Sequence, residues 1–217
     1  MIVGIDTCGA TGTVALAQWQ KGVASLVAQT ELAGKSYSAE LIQKMRELLE
    51  EQGVGFGQIE AIVVTNGPGS FTGVRIGLAS AKALAEALGI PLIAVSRLRV
   101  LAEKGQRQAA ALDAGRGEFY FGSREFEGLL GPEEVRERLA LSDGGLAVCE
   151  EGAAAVFTGA SWPAAILVDP PTAWDAISLA TVRLSEGDFD DVESLDANYL
   201  RRSDAEIFSK PAQTGRG

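Results

Sequence analysis

The 217-residue sequence predicts an α/β protein of two lobes, each a mixed β-sheet with helices, on three observations. Short apolar runs and amphipathic stretches alternate through the first hundred residues in the order β-β-β-α-β-α-β. A weaker alternation of the same kind restarts after Gly105. The chain is 47% hydrophobic and 22% charged, ordinary for a globular protein, and its length suits one large domain or two small lobes. Disorder, collagen-like repeats and coiled coil are excluded as overall classes.

Three β-like runs open the chain, at 2–6, 12–19 and 23–30, with turn residues between them that make an antiparallel meander. Over 38–51, Leu41, Ile42, Met45, Leu48 and Leu49 recur at the spacing of one helical face, with Ser36 or Ser38 placed to cap it. Ile59 to Asn66 reads as a buried strand that runs into the loop 67–73. A second helix spans about 71–88 and ends at Gly89, a strand covers 91–95, and a short helix lies near 96–104. The second helix is apolar on most of its circumference, so it must be covered on two sides.

The first lobe is therefore placed at 1–104, the second at 105–200 and a C-terminal tail at 201–217. In the second lobe, strands are predicted at 108–114, 117–123, 145–149 and 164–168, with helices at 132–140 and 173–185. An acidic stretch at 186–193 precedes Asn198-Tyr199-Leu200-Arg201-Arg202, and from Ser209 the composition predicts a frayed tail.

Composition removes several function classes. With 19 Lys and Arg against 29 Asp and Glu, the net charge of -10 repels phosphate backbones and anionic membranes, so a stand-alone grip on nucleic acid is not expected and any nucleic acid is met only indirectly. The absence of histidine excludes Ser-His-Asp and Cys-His catalysis and His-ligated zinc. Cys8 and Cys149 form neither a metal-ligand cluster nor a disulfide framework, which reads as a reduced, cytoplasmic protein. Met1 to Asp6 reads as a strand start and not a signal peptide. The longest apolar stretch, 76–95, is broken by Lys82, Glu86 and Pro91, so no membrane span is expected.

Two turns could hold an anion. Asp6 and Thr7 stand at the tight turn after the first strand, where backbone N–H groups can face a phosphate and a carboxylate can hold a metal-bound water. The same turn is equally a hairpin whose Asp6 and Thr7 bond their own backbone. Gly67, Gly69, Ser70, Thr72, Gly73 and Arg75 join a buried strand to a helix start that favours an anion, or else form a capped turn with Ser70 as N-cap. Neither a P-loop nor a dinucleotide fingerprint is present. Asp113, Glu118 and Asp169 are scattered strand-end acids. Arg116 stands between two glycines, where a turn could lift it into a cleft, and Cys8 has no basic sequence neighbour to activate it.

Gly4-Ile5-Asp6-Thr7, the block from Thr65 through Gly67-Pro68-Gly69-Ser70-Phe71-Thr72-Gly73 to Lys82, Ala111 to Tyr120 and Asn198 to Arg201 together resemble the TsaB (YeaZ) family. The resemblance spans about nine-tenths of the chain, and the glycine-proline block is its most specific part. It implies the actin-like, sugar-kinase and Hsp70 ATPase (ASKHA) fold with a reduced second lobe. It also implies a role in the threonylcarbamoyl modification of the adenosine beside the anticodon, in tRNAs that read codons beginning with A.

In that family the chemistry belongs to a TsaD-type catalytic subunit whose metal is held by histidines, and a TsaE-type ATPase joins the assembly. The resemblance thus implies a non-catalytic partner with no cofactor or metal of its own, ATP and metal being expected on the partner subunits. The two turns become vestigial phosphate loops. The partner interface is expected on the first-lobe helices, at Leu41, Met45, Leu48, Val74, Gly77, Leu78 and Ala81. Alone, the chain is expected to form a homodimer that hides the same apolar helix faces.

Tyr37-Ser38-Ala39-Glu40 departs from the family's His-Ser-Glu stretch, and Cys149 to Gly152 replaces a glycine-rich adenosine loop, with Asp143 to Gly145 its only remnant. The alternative is a small phosphotransferase of the same superfamily, with Asp6 as metal anchor and an adenosine site within 140–160. A metallopeptidase lacks its ligands.

Overall fold

The computed structural model describes residues 1–33, 37–140, 145–158 and 165–201. The first half folds as β1 (Ile2–Asp6), β2 (Thr11–Gln20), β3 (Val23–Ala33), α1 (Tyr37–Glu51), β4 (Ala61–Thr65), α2 (Phe71–Leu88), β5 (Leu92–Val95) and α3 (Arg97–Lys104). The second half follows as β6 (Ala109–Gly115), β7 (Glu118–Gly122), β8 (Glu127–Leu130), α4 (Pro132–Ala140), β9 (Leu146–Val148), α5 (Glu151–Val156), β10 (Ile166–Leu167) and α6 (Ala173–Glu186).

The two halves repeat one plan. The first sheet runs β3-β2-β1-β4-β5, and the second, taken from its far edge, runs β8-β7-β6-β9-β10. In each, the first three strands form the antiparallel meander and the last two join in parallel beside the first. The parallel strands β1, β4 and β5 are covered on both faces, which is why they read as short unbroken apolar runs.

Alternation along β1 divides its contacts. Val3 and Ile5 face α1 and α2, whereas Ile2 faces a second layer formed with Ala173, Ala176, Ile177 and Ala180 of α6. Gly4 lies under α6 so closely that a Cβ there would sit 2.7 Å from the Ala173 carbonyl oxygen. Meanwhile Leu98 and Leu101 of α3 pack with Ala110, Leu112 and Ala147 of the second sheet. Each half therefore covers one face of its sheet with the last helix of the other.

The caps explain the helix ends. Ser70 accepts from the Gly73 N–H at the start of α2, Ser96 accepts from Leu98 N–H at α3, and Thr172 with Asp175 closes a capping box on α6. Gly89 and Gly187 end α2 and α6 in the left-handed conformation. Ser38 lies inside the first turn of α1 and is not its cap; Ser36 lies outside the described residues. Asp143, Gly144 and the tail from Arg202 also lie outside them. Beyond the expected elements, the structure has a 3₁₀ turn at Phe56–Gln58, the strand β8 and the six-residue α5, and β3 extends three residues past the expected end. Among the described residues, no helix is long and apolar enough to cross a membrane.

The seven residues assigned by sequence to a partner interface need correction. Leu41, Met45, Leu48, Leu78 and Ala81 belong to the first lobe's own core, and Val74 and Gly77 are also buried. An amphipathic helix turns its apolar stripe toward the sheet, so this stripe is already used within the chain. The apolar side chains left outward include Ile42 on α1 and Ala79 and Ala83 on α2, with Ile76 half-buried, beside exposed Arg46, Arg75 and Glu86.

Candidate functional site

A cleft of about 780 Å³ opens between the two halves, lined by the turn after β1 (Cys8, Gly9, Ala10), by Gly69 and Ser70, by the end of β6 (Asp113 to Gly115), and by Arg97, Tyr120 and Glu150. The repeated topology accounts for this: the two hairpin turns occupy equivalent places in the two sheets and face one space.

Asp6 ends β1 and is buried. Its Oδ1 accepts the Cys8 N–H at 2.8 Å, while Oδ2 stands 3.7 Å from Nε of Arg97, itself buried at the start of α3. Among the described residues neither Oδ2 nor Nε has a hydrogen-bond partner, so the pairing is one of charge. Burial pushes the Asp6 carboxyl above the usual carboxylate range, and the Arg97 guanidinium pulls it back. Arg97 places at Asp6 the positive charge that a metal ion would bring, and the carboxylate is poorly suited to hold both. Among the described residues, no group of three Cys, Asp or Glu is arranged to hold a metal.

The two glycine-rich turns lock together. Thr7 Oγ1 donates to the Gly73 carbonyl at 2.7 Å, the Ser70 N–H donates to the Cys8 carbonyl at 2.9 Å, and the Arg97 N–H donates to the Gly67 carbonyl at 2.7 Å. Gly67 needs its left-handed φ of 105°, and a Cβ at Gly69 or Gly73 would collide with the backbone oxygen of Cys8 or Thr7. Tyr37 closes the other side, its hydroxyl donating to the Gly9 carbonyl at 2.9 Å. The glycines at 69, 73 and 77 thus allow close approach by this chain's own first turn.

Of the remaining candidates, Thr72 is exposed, and Arg75 lies over the Phe71 ring at 3.8 Å and donates Nε to the Tyr199 hydroxyl at 2.7 Å. The Cys8 thiol is buried, donates to the Thr65 carbonyl, and burial raises its pKa well above the ordinary thiol value. Burial and the neighbouring Glu150 carboxylate push Cys149 to about 12. Arg116 has a left-handed φ of 61° at the tip of the β6–β7 turn. It lines a smaller cleft of about 290 Å³ with Phe71, Tyr120, Tyr199 and Arg201. Asp113 accepts from the Gly115 N–H, Glu118 pairs with Arg201 at 2.7 Å, and Asp169 is exposed, so these acids form no group.

Arg97 is the residue that sequence reasoning missed. Its signal was a charge four residues before Leu101, on the apolar stripe of a short helix.

Two lobes of one topology, with crossed last helices and paired glycine-rich turns facing a common cleft, define a protein of the actin-like ATPase fold class. The family model of TsaD, tRNA N6-adenosine threonylcarbamoyltransferase, matches residues 26–134. The tRNA threonylcarbamoyladenosine biosynthesis protein TsaB of Escherichia coli is 31% identical across 93% of this chain and 95% of its own length. A Pseudomonas aeruginosa structure described as YeaZ superimposes with a TM-score of 0.73 at 30% identity, covering 92% of this chain and 99% of that one. Another, described as an uncharacterized protein with similarity to peptidase YeaZ, gives 0.75 at 28% over the same shares. The chain belongs to the TsaB family.

Proposed function

We propose that this chain serves tRNA threonylcarbamoyladenosine biosynthesis in the cytoplasm as an accessory subunit that docks on a TsaD-type catalytic subunit, with a TsaE-type ATPase joining the assembly. The observation that carries this reading is the buried Asp6–Arg97 pair. The acid that a phosphotransferase of this fold would give to a metal is occupied by a side chain of the same protein. With no histidine in the sequence, the chain also has no means of building a histidine metal site.

The docking face follows from what α1 and α2 leave outward. Ile42, Ile76, Ala79 and Ala83 supply an apolar strip on two adjacent helices, flanked by exposed Arg46, Arg75 and Glu86, where a partner's helices can approach closely. In the absence of TsaD-type protein, a second copy takes the same face. Ala83→Arg and Ile42→Asp should therefore lower affinity for the TsaD-type subunit at least tenfold, as read by titration calorimetry, and leave thermal stability near that of the parent. Native affinity in both variants would refute the docking face. Met45→Asp serves as the contrast, because a charge in the core should unfold the chain.

A further inference from the structure

We infer that the cleft beside α3 is a contact site for the phosphodiester backbone of RNA. It measures about 450 Å³ and is lined by Arg99 of α3, Arg107 and Gln108 before β6, and Ser123 and Arg124 after β7. Three arginines from separate parts of the chain line it, and Glu103 is the one carboxylate among the described lining residues. Among the described residues none of the three arginines has an ion-pair partner, although acids outnumber bases by ten. Lys104, Arg183 and Arg201 are ion-paired with carboxylates; among the described residues Arg99, Arg107 and Arg124 are not.

Three like charges facing a single carboxylate leave a net positive cleft, and a bound polyanion relieves their repulsion. Arginine matches phosphate oxygens with two parallel N–H donors. Gln108 and Ser123 add neutral polar groups, a mixture suited to gripping backbone without reading sequence. The net charge of -10 argued that RNA is met only indirectly, but charge is local at the scale of the Debye length, about 8 to 10 Å. The cleft shares no residue with the two clefts between the halves or with the outward face of α1 and α2.

The identity of the polyanion rests on the proposed role in tRNA modification; the convergence of arginines does not. The test is fluorescence polarisation of labelled tRNA against the complex of this chain with the TsaD-type subunit, between 50 and 200 mM salt. Three phosphate contacts add about 2.7 to the slope of log affinity against log salt. The Arg99→Ala/Arg107→Ala/Arg124→Ala variant should therefore lose about 40-fold less affinity than the parent across that range. Lys21→Ala, which removes a base in the β2–β3 turn, should keep the parent slope.

Light scattering of the complex separates this inference from the docking reading. An unchanged slope in an intact complex overturns the RNA site and leaves docking standing. If the parent chain does not pair, docking falls, and the same slope change is then expected of the chain alone. Displacement of tRNA by inorganic phosphate at constant ionic strength would assign the cleft to a small anion and overturn the proposal. So would a triple variant that keeps its tRNA slope and loses affinity for an acidic partner protein.

Discussion

Gly77 offers a test in which two energies of known size act in opposite directions. By helix propensity, Gly77→Ala in the middle of α2 should stabilise the protein by about 1 kcal/mol. In the structure the added Cβ would lie under 3.0 Å from Thr7 Oγ1, 3.5 Å from Thr7 Cβ and 3.7 Å from Ile5 Cγ2. Thr7 cannot turn away without losing its 2.7 Å hydrogen bond to the Gly73 carbonyl. Overpacking costs about 1 to 3 kcal/mol. The displaced buried hydrogen bond costs about 1 kcal/mol more. Set against propensity, the net loss is about 1 to 3 kcal/mol, a fall in Tm of roughly 2 to 12 °C for a chain of this size. Differential scanning calorimetry reads it directly. Gly152→Ala in α5, where a Cβ meets none of the described residues within 4 Å, is the control and should not lower Tm. Thr7→Ala/Gly77→Ala should cost less than the two single changes summed, because the clash disappears with the hydroxyl. A Tm for Gly77→Ala at or above the parent's would refute the close approach of α2 to the first turn.

Two further outcomes follow from the buried charges and thiols. Because Asp6 holds its proton to higher pH when folded than its ordinary 3.8, stability from this group is full below about pH 4 and falls as pH rises through the folded-state titration. Asp6→Asn should flatten that fall in denaturant titrations. Near neutrality it should cost little stability, because Asn stands in for the neutral carboxyl that the folded state favours. In a reconstituted modification assay run well below its melting point, it should keep turnover; a collapse with assembly intact would revive the phosphotransferase reading. Cys149, held at about 12, should react with iodoacetamide at pH 8 on the order of 10³-fold more slowly than a free thiol near 8.5, and at an ordinary rate once unfolded. Rapid native labelling would contradict its burial beside Glu150.

Much of the first lobe was legible because its parallel strands are short apolar runs and its helices carry strong caps. Ser70 and Gly89 bound α2 as the sequence predicts. β8 was not legible: it has four residues, one of them Gly128, and gains its strand character from pairing with β7. α5 is too short to show a period. The site was legible as residues but not as partners. Asp6 and the glycines stand out in sequence, yet nothing local says that Arg97, 91 residues later, will meet Asp6; the sheet order β1-β4-β5 brings them together. The apolar helix faces were read as surplus surface because periodicity marks a buried stripe without saying what buries it. The structure gives Met45 and Leu48 to the lobe's own sheet.

The crossed helices also set the order in which this protein can be completed. The outer face of the first sheet, with Ala15, Ala17, Val63 and Ile93, is covered by α6, which lies near the end of the chain. At roughly 5 to 20 residues per second, the ribosome delivers α6 about 4 to 16 seconds after the end of α3. Throughout that interval a nascent first lobe presents a bare apolar sheet, and no fragment ending near Lys104 can close it. The two halves are therefore expected to fold, melt and be degraded as one unit, and the nascent chain is a client for any chaperone that shields exposed sheet until synthesis ends.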